Sequence, residues 1–329
     1  MNVHALCDAL RASRGFAHKR DISDVMRRLQ PVLPVGIAVG DDCAAIPDGD
    51  GHLLFAMEGF VDDFVERMPW FAGYCGVMVN VSDIYAMGGR PLAVVDALWS
   101  ADAQAGAPVL DGLVEASRRY GVPIVGGHSN HKAARGQLAV AILGRARSKL
   151  LTSFDAQSGD ALVMAVDLRG QWQEPYPYWN ASTSAPAERL RADLDVLAVL
   201  ADEGLCDAAK DISMAGAVGT ALMLFECSRV GARLDIDAMP RPATTNIDDD
   251  AALLRWLCAF PSYGFVLSVR PHRADAVLQR FRAREIACAV VGEVQARPNV
   301  TLRHRGEEAP LWNLAATPFM TAGEGASHG

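Results

Sequence analysis

Gly40-Asp41-Asp42-Cys43-Ala44-Ala45 runs through Ile46-Pro47 into Asp48-Gly49-Asp50-Gly51, and the chain returns as His52-Leu53-Leu54-Phe55-Ala56-Met57-Glu58-Gly59. Two apolar runs around an Asp-Gly turn signal predict a β-hairpin. With the turn centred between Gly49 and Asp50, antiparallel register sets position 41 opposite position 58. Asp41, Asp42 and Glu58 then crowd the open end of the hairpin. Two unit charges about 4 Å apart repel by roughly 4 kcal/mol at an effective dielectric of about 20. Solvent, a proton or a cation has to relieve that. Three carboxylates suit a hard cation, Mg²⁺ first, which is commonly held by a few carboxylates and substrate phosphates. A solvated acidic turn is the other reading, and the stretch alone does not choose between them.

The composition limits the class. A chain of 329 residues suits two domains of ordinary size, and a hydrophobic content of 50% with 21% charged residues is that of a soluble globular protein. A net charge of −8 argues against general binding to nucleic acid or an anionic membrane, though not against one basic pocket for a phosphorylated ligand. The start, Met1-Asn2-Val3-His4, lacks signal-peptide features, and no apolar run is long enough for a membrane span. Seven cysteines, with no Cys-x-x-Cys pair, read as buried thiols of a reducing cytoplasm, without disulfides or zinc.

Along the chain, residues 1–15 suggest a short helix followed by a flexible Ser13-Arg14-Gly15, with Phe16 to Asp21 polar and mixed in sign. Ile22 to Leu29 is helical, and Pro31 and Pro34 break it. After the hairpin, Trp70 to Met87 has a helical pattern closed by Gly88-Gly89. Gly73, Gly76, Asn80 and Asp83 recur at spacings of three and four, one small and polar stripe on an otherwise apolar helix. Such a stripe lets something approach closely and meets it with an amide and a carboxylate; a tight helix-on-strand contact is the alternative. Leu92 to Trp99 is a strand, Pro108 to Tyr120 a helix, and Val122 to Val125 a strand running into a polar loop, Gly126-Gly127-His128-Ser129-Asn130-His131-Lys132. Backbone amides of such a loop suit phosphate. Gln137 to Arg145 returns as a strand.

The composition breaks at Lys149 to Gly159, which divides the chain into an N-terminal domain, 1–150, and a C-terminal domain, 151–310, ahead of a frayed tail, 311–329. The second domain opens with the strand Asp160 to Asp167. An aromatic loop, Gln171 to Asn180, reads either as a lid or as a loop pinned to its own domain. Helices and strands then alternate through Val294 as an α+β sandwich, and Asp248-Asp249-Asp250 reads as a helix cap, not a metal site.

Taken in order, these motifs resemble the superfamily of aminoimidazole ribonucleotide synthetase, thiamine-monophosphate kinase, selenophosphate synthetase and a hydrogenase-maturation ATPase. The matching pieces are Gly40-Asp41-Asp42-Cys43-Ala44, Glu58, Asn80-Val81-Ser82-Asp83-Ile84-Tyr85-Ala86-Met87-Gly88-Gly89-Arg90-Pro91, Gly126-Gly127-His128-Ser129 and Asp211-Ile212-Ser213. The layout is most similar to the synthetase-related branch of unassigned substrate. The resemblance implies an α+β, two-domain synthetase-like architecture: an N-terminal mixed-sheet domain that forms a homodimer through its sheet, and a C-terminal α/β sandwich. It implies ATP and Mg²⁺ as cofactors. By position Asp41, Asp42 and Asp83 match metal-binding aspartates, and Glu58 stands where the family usually has Asp. Asn80, Gly126, Gly127 and Asp211 match nucleotide-site positions.

Three departures bear on the substrate. Thiamine-phosphate kinases have an aspartate where this chain has His128, and they continue Asp-Gly after Asp211-Ile212-Ser213, where this chain has Met214-Ala215. The reactive N-terminal Cys-Lys pair of selenophosphate synthetases is absent, since His18 precedes Lys19. Lys19 is the candidate for offsetting phosphate charge, and His128 for phosphate binding or acid–base work. The expectation is ATP- and Mg-dependent phosphoryl transfer to, or activation of, a small molecule by a cytoplasmic enzyme. The rivals are a nucleotide-binding subunit without turnover and a metal-dependent phosphohydrolase.

Overall fold

The computed structural model describes residues 1–20, 22–33, 37–147 and 149–320. Three helices lead: α1 (Val3–Arg11), α2 (Arg14–Arg20) and α3 (Ile22–Leu29). The hairpin strands β1 (Ala44–Asp48) and β2 (Gly51–Phe60) follow, then α4 (Asp62–Arg67), α5 (Pro69–Ala86), β3 (Arg90–Trp99) and α6 (Ala103–Tyr120). Next come β4 (Ile124–Asn130), β5 (Gln137–Ala146), β6 (Ala161–Val166), β7 (Gln171–Trp172) and β8 (Tyr178–Asn180). After α7 (Ala187–Asp202) lie β9 (Ala208–Asp211), α8 (Gly216–Ser228), β10 (Gly231–Asp235), α9 (Asp250–Leu257), β11 (Phe260–Pro261) and β12 (Gly264–Val269). The chain closes with α10 (Ala274–Arg282), β13 (Ala287–Gln295), β14 (Asn299–His304) and β15 (Glu307–Asn313).

Contacts divide the chain into two units, and the division departs from a single cut. One unit comprises Asp42–Lys149 with Ser184–Val199; the other comprises Met1–Asp41, Leu150–Thr183 and Leu200 onward. The N-terminal residues 1–41, expected in the first domain, therefore belong with the C-terminal unit. Arg11 Nε donates to the Leu311 carbonyl at 3.0 Å, and α1 buries Val3, Leu6 and Leu10 in that unit's core. Segment 184–199 belongs with the hairpin unit. Arg90 pairs with Asp195 at 2.8 Å, and Arg119 donates to the Ala185 carbonyl at 2.7 Å.

The hairpin unit is built on a mixed five-stranded sheet of order β1-β2-β5-β3-β4. Ala44 pairs with Phe55 and Asp48 with Gly51, the register that the turn predicts; the ladder stops at Ala44, short of Asp42. Helix α5 begins with Pro at its first turn and ends at Gly88, φ +73, where Gly89 N–H reaches back to the Ile84 carbonyl at 3.0 Å. It covers one sheet face, burying Leu54, Val94, Leu98, Leu138, Val140 and Ile142. Helix α6, capped by Asp102 and by Gly121 at φ +70, crosses α5 at paired glycines. A Cβ on Gly73 would lie 2.0 Å from the Val109 carbonyl oxygen, and one on Gly112 would lie 1.9 Å from that of Trp70. Of the stripe's two glycines, Gly73 thus serves this helix crossing, while Gly76 serves the helix-on-strand contact, where a Cβ would lie 2.7 Å from the Val140 side chain of β5.

The loop expected over 126–132 is a strand for most of its length. β4 runs in parallel beside β3 to Asn130, and as the outermost strand in the sheet order it is exposed from Val125 onward. A strand paired on one side tolerates the glycines that read as a loop signal.

The C-terminal unit carries a seven-stranded mixed sheet, β15-β14-β10-β13-β6-β12-β9, and a small sheet, β11-β8-β7. Helix α8 is buried nearly all round against the large sheet. The aromatic loop is pinned to this unit: Trp172, Trp179 and Trp256 meet edge to face at 5.4–6.0 Å, and the Arg255 guanidinium lies 4.1 Å from the Trp172 ring centre. Asp249 caps α9 by accepting from Ala251 and Ala252 N–H.

The tail also differs from expectation over residues 311–320. Trp312 lies in β15, and Leu314, Phe319 and Met320 are buried. Burial of those apolar groups supplies the driving force that a composition rich in Gly and Ala does not suggest. Pro34 and residues 321–329 lie outside the described residues.

Candidate functional site

The site is built where α5 crosses the centre of the hairpin unit's sheet. Asn80, fully buried, donates through Nδ2 to the Gly76 carbonyl at 2.8 Å and to the Val140 carbonyl at 3.1 Å. Its Oδ1 is buried and, among the described residues, has no hydrogen-bond partner. A buried amide oxygen in that condition costs about 1–3 kcal/mol. One turn on, Asp83 is also buried. A carboxylate oxygen of Asp83 and one of Asp42 lie within 4.8 Å of each other. At neutral pH two such groups repel, and a divalent cation converts that repulsion into ligation. These are hard oxygen donors. They fit Mg²⁺, with Asp42 and Asp83 as the residues that would hold it.

The sheet extends the acidic surroundings. Glu58 on β2 pairs with Val140 on β5, which pairs with Asp96 on β3, which pairs with Gly127 on β4. Side chains of paired residues share a face, so Glu58 and Asp96 both stand on the helix side, flanking Val140. Glu58 is exposed and Asp96 half-buried. Burial pushes the Asp96 carboxyl above its ordinary value, against a smaller opposing effect of its own backbone N–H. A Cβ at Gly127 would lie 2.6 Å from Asp96 Oδ1, so only glycine leaves the room this carboxylate takes.

Asp96 is the residue that sequence reasoning missed. Its signal was the alternation Val94-Asp96-Leu98, which puts a carboxylate at an inward position of an apolar strand.

The other candidates are placed differently. Both oxygens of Asp41 accept from Ser153, one from its N–H at 3.0 Å and one from its hydroxyl at 2.7 Å, within the C-terminal unit. His128 pairs with Ala97, so strand alternation sends it to the sheet face opposite α5, away from Asn80 and Asp83. A Cβ on Gly126 would meet nothing within 4 Å, so that position is open. Asp211 is buried at the end of β9, and Lys19 is half-buried on α2, both in the C-terminal unit.

Comparison with known proteins agrees with this architecture. The model of the AIR synthase related protein N-terminal domain matches residues 40–146, and that of the AIR synthase related protein C-terminal domain matches residues 157–305. The chain belongs to the AIR synthase related family. Protein sll0787 of Synechocystis sp. is 47% identical over 315 residues, covering 94% of this chain and 95% of that protein. A thiamine-monophosphate kinase of Synechococcus elongatus is 27% identical over 291 residues, covering 80% of this chain and 86% of the kinase. T. maritima PurL complexed with ATP has the same fold, with a TM-score of 0.75 at 20% identity, covering 95% of this chain and 52% of that one. The chain spans about half the length of that PurL. Among the described residues, no helix is long and apolar enough to cross a membrane.

Proposed function

We propose that this protein binds Mg-ATP and either transfers a phosphoryl group to a small-molecule acceptor or activates that molecule as a phosphate intermediate. The observation that carries the reading is the approach of Asp42 and Asp83 within 4.8 Å, next to the buried amide of Asn80. Mg²⁺, when bound, would neutralise phosphate charge and orient the transferred group. Glu58 and Asp96 add acceptor oxygens on the same sheet face, suited to metal-bound water or to a proton from the acceptor. For Lys19 and Asp211, carried by the other unit, and for Asp41, the proposal rests on the match of their motifs to the family and is tested by substituting each. The ATP-bound state of T. maritima PurL and the kinase activity in the name of the Synechococcus relative support ATP as the donor.

A homodimer belongs to the same proposal. The sheet face opposite α5 presents Phe55, Met57, Val95 and Leu143 with exposures of 49%, 64%, 41% and 36%. A contiguous apolar face of this kind marks an interaction surface.

Incubation with ATP and Mg²⁺, alone and with candidate metabolites, tests the function. The expected result is ADP formed only with the right acceptor. Phosphate release without any acceptor would favour a phosphohydrolase. One observation favours a nucleotide-binding subunit without turnover: Met214 stands where the kinases carry a ligand aspartate. Tight ATP binding with no product under any condition would establish that alternative.

A further inference from the structure

Helix α2 is held in place by the last described stretch of the chain. Phe16 is fully buried; its ring meets Phe319 at 5.0 Å and Trp312 at 6.2 Å, and those two rings meet each other at 5.3 Å. All three contacts are edge to face, the favoured aromatic geometry. The floor of the socket is α8, where a Cβ on Gly219 would stand 3.1 Å from the Phe16 ring. Beside it Gly15 packs on the turn after Asp211: a Cβ there would lie 2.3 Å from the Met214 carbonyl oxygen and 2.8 Å from Ala215 Cα.

The socket is itself tied down. Glu226 of α8 accepts from the backbone N–H groups of Phe319 at 3.0 Å and Met320 at 2.6 Å. Trp312 Nε1 donates to the Thr317 carbonyl at 2.7 Å, folding the segment back on β15. One turn beyond Phe16, the same helix carries Lys19.

We infer that segment 314–320 is a positioning strap. It seats Phe16, fixes α2 on the turn that follows Asp211, and so sets the place of Lys19 for an anionic nucleotide. The inference rests on the proposed role of Lys19 at phosphate. Phe16, Phe319 and Glu226 are then positioning residues that act through Lys19. None of the three carries a group suited to touching phosphate, since two are hydrocarbon rings and the third is an acid engaged with backbone.

The test uses the full chain in four forms, wild type, Phe319→Ala, Lys19→Ala and the double variant, with Mg-ATP affinity and amide hydrogen exchange as readouts. Phe319→Ala is expected to speed exchange over residues 14–20 and to weaken Mg-ATP by about tenfold, the order of the cost of re-immobilising side chains on binding. In the Lys19→Ala background it should weaken Mg-ATP no further. Multiplying effects, or unchanged exchange over 14–20, would overturn the strap. So would Phe319→Ala weakening Mg-ATP when Lys19→Ala alone does not. If wild type bound no Mg-ATP, the function proposed above would fail, and exchange alone would decide whether the strap seats α2. Glu226→Gln repeats the comparison without a cavity, should Phe319→Ala not fold.

Discussion

Asn80 on α5 donates to the Val140 carbonyl on β5 at 3.1 Å, and Val140 stands between Glu58 and Asp96 on the neighbouring strands. One hydrogen bond thus fixes the helix that carries Asp83 over the acidic row of the sheet. Asn80→Ala cuts both side-chain hydrogen bonds, about 0.5–1.5 kcal/mol each, and leaves a void beneath α5, losses set against the relief of one buried oxygen without a partner among the described residues. The variant is expected to fold with a lower melting temperature and weaker Mg-ATP binding. Asn80→Asp should be worse in stability, because it removes the donor and adds a buried charge next to Asp83. Thermal unfolding with and without Mg-ATP checks both orders.

Asp42 and Asp83 make opposite predictions for the metal-free and metal-bound protein. With their oxygens within 4.8 Å, neutralising either one relieves repulsion. Asp83→Asn is therefore expected to raise the melting temperature without metal, or leave it unchanged, while abolishing the stabilisation that Mg²⁺ confers on wild type. Loss of even a supporting group around a metal typically costs about 10–100-fold in affinity, and a ligand at least as much. Titration calorimetry with Mg-ATP reads the second effect. Unchanged affinity in both Asp42→Asn and Asp83→Asn would remove these residues from the site.

The sequence carried the parts of this site that have a local signature. The Asp48-Gly49-Asp50-Gly51 turn sets the hairpin register, and helical spacing puts Asn80 and Asp83 on one face. Asp96 escaped because Val94-Val95-Asp96-Ala97-Leu98 is apolar on both faces, so only pairing with the buried Val140 decides that the carboxylate points inward. Gly126-Gly127 misled because the same pair suits a loop and an edge strand, and only pairing with β3 decides. That decision also carries His128 to the other face. The grouping of residues 1–41 with the C-terminal unit depends on contacts such as Arg11 with Leu311, three hundred positions apart, which leave no periodic trace.

The glycine crossing of α5 and α6 gives a prediction about stability alone. A Cβ at Gly112 would sit 1.9 Å from the Trp70 carbonyl oxygen, and that contact is with backbone, which cannot swing aside. Gly112→Ala gains about 1 kcal/mol from intrinsic helix propensity, which on an exposed helix would be a net stabilisation. Here overpacking of about 1–3 kcal/mol or more outweighs it. Chemical denaturation should show a lower midpoint for Gly112→Ala, and likewise for Gly73→Ala.

Asp96 supplies a pH dependence with a defined sign. Burial raises its carboxyl above the unfolded value of 3.8. A group raised in the fold contributes stability that is present below the unfolded value and is lost as pH climbs through the folded one. Asp96→Asn removes that loss. The variant should therefore gain stability relative to wild type as pH rises from the unfolded value of 3.8 through the raised folded one, and the difference should level off above it. A gap that narrows with rising pH would contradict the burial assignment.

The open sheet face yields the prediction that concerns assembly. Phe55, Met57, Val95 and Leu143 line one face by register, and Met57, the most exposed of the four, is hydrocarbon and thioether with no polar atom that water rewards strongly. If two copies cover this face, Met57→Asp places a carboxylate where it is desolvated on association, at an effective cost of order several kcal/mol per buried ion. Within one chain the same position is open to solvent, so the fold should not suffer. Wild type is expected to sediment at twice the monomer mass, and Met57→Asp as a monomer with an unchanged or slightly higher melting temperature at low concentration. Met57→Leu, which keeps the apolar surface, should remain dimeric. A wild-type protein that is monomeric at micromolar concentration would show that this face meets something other than its own copy.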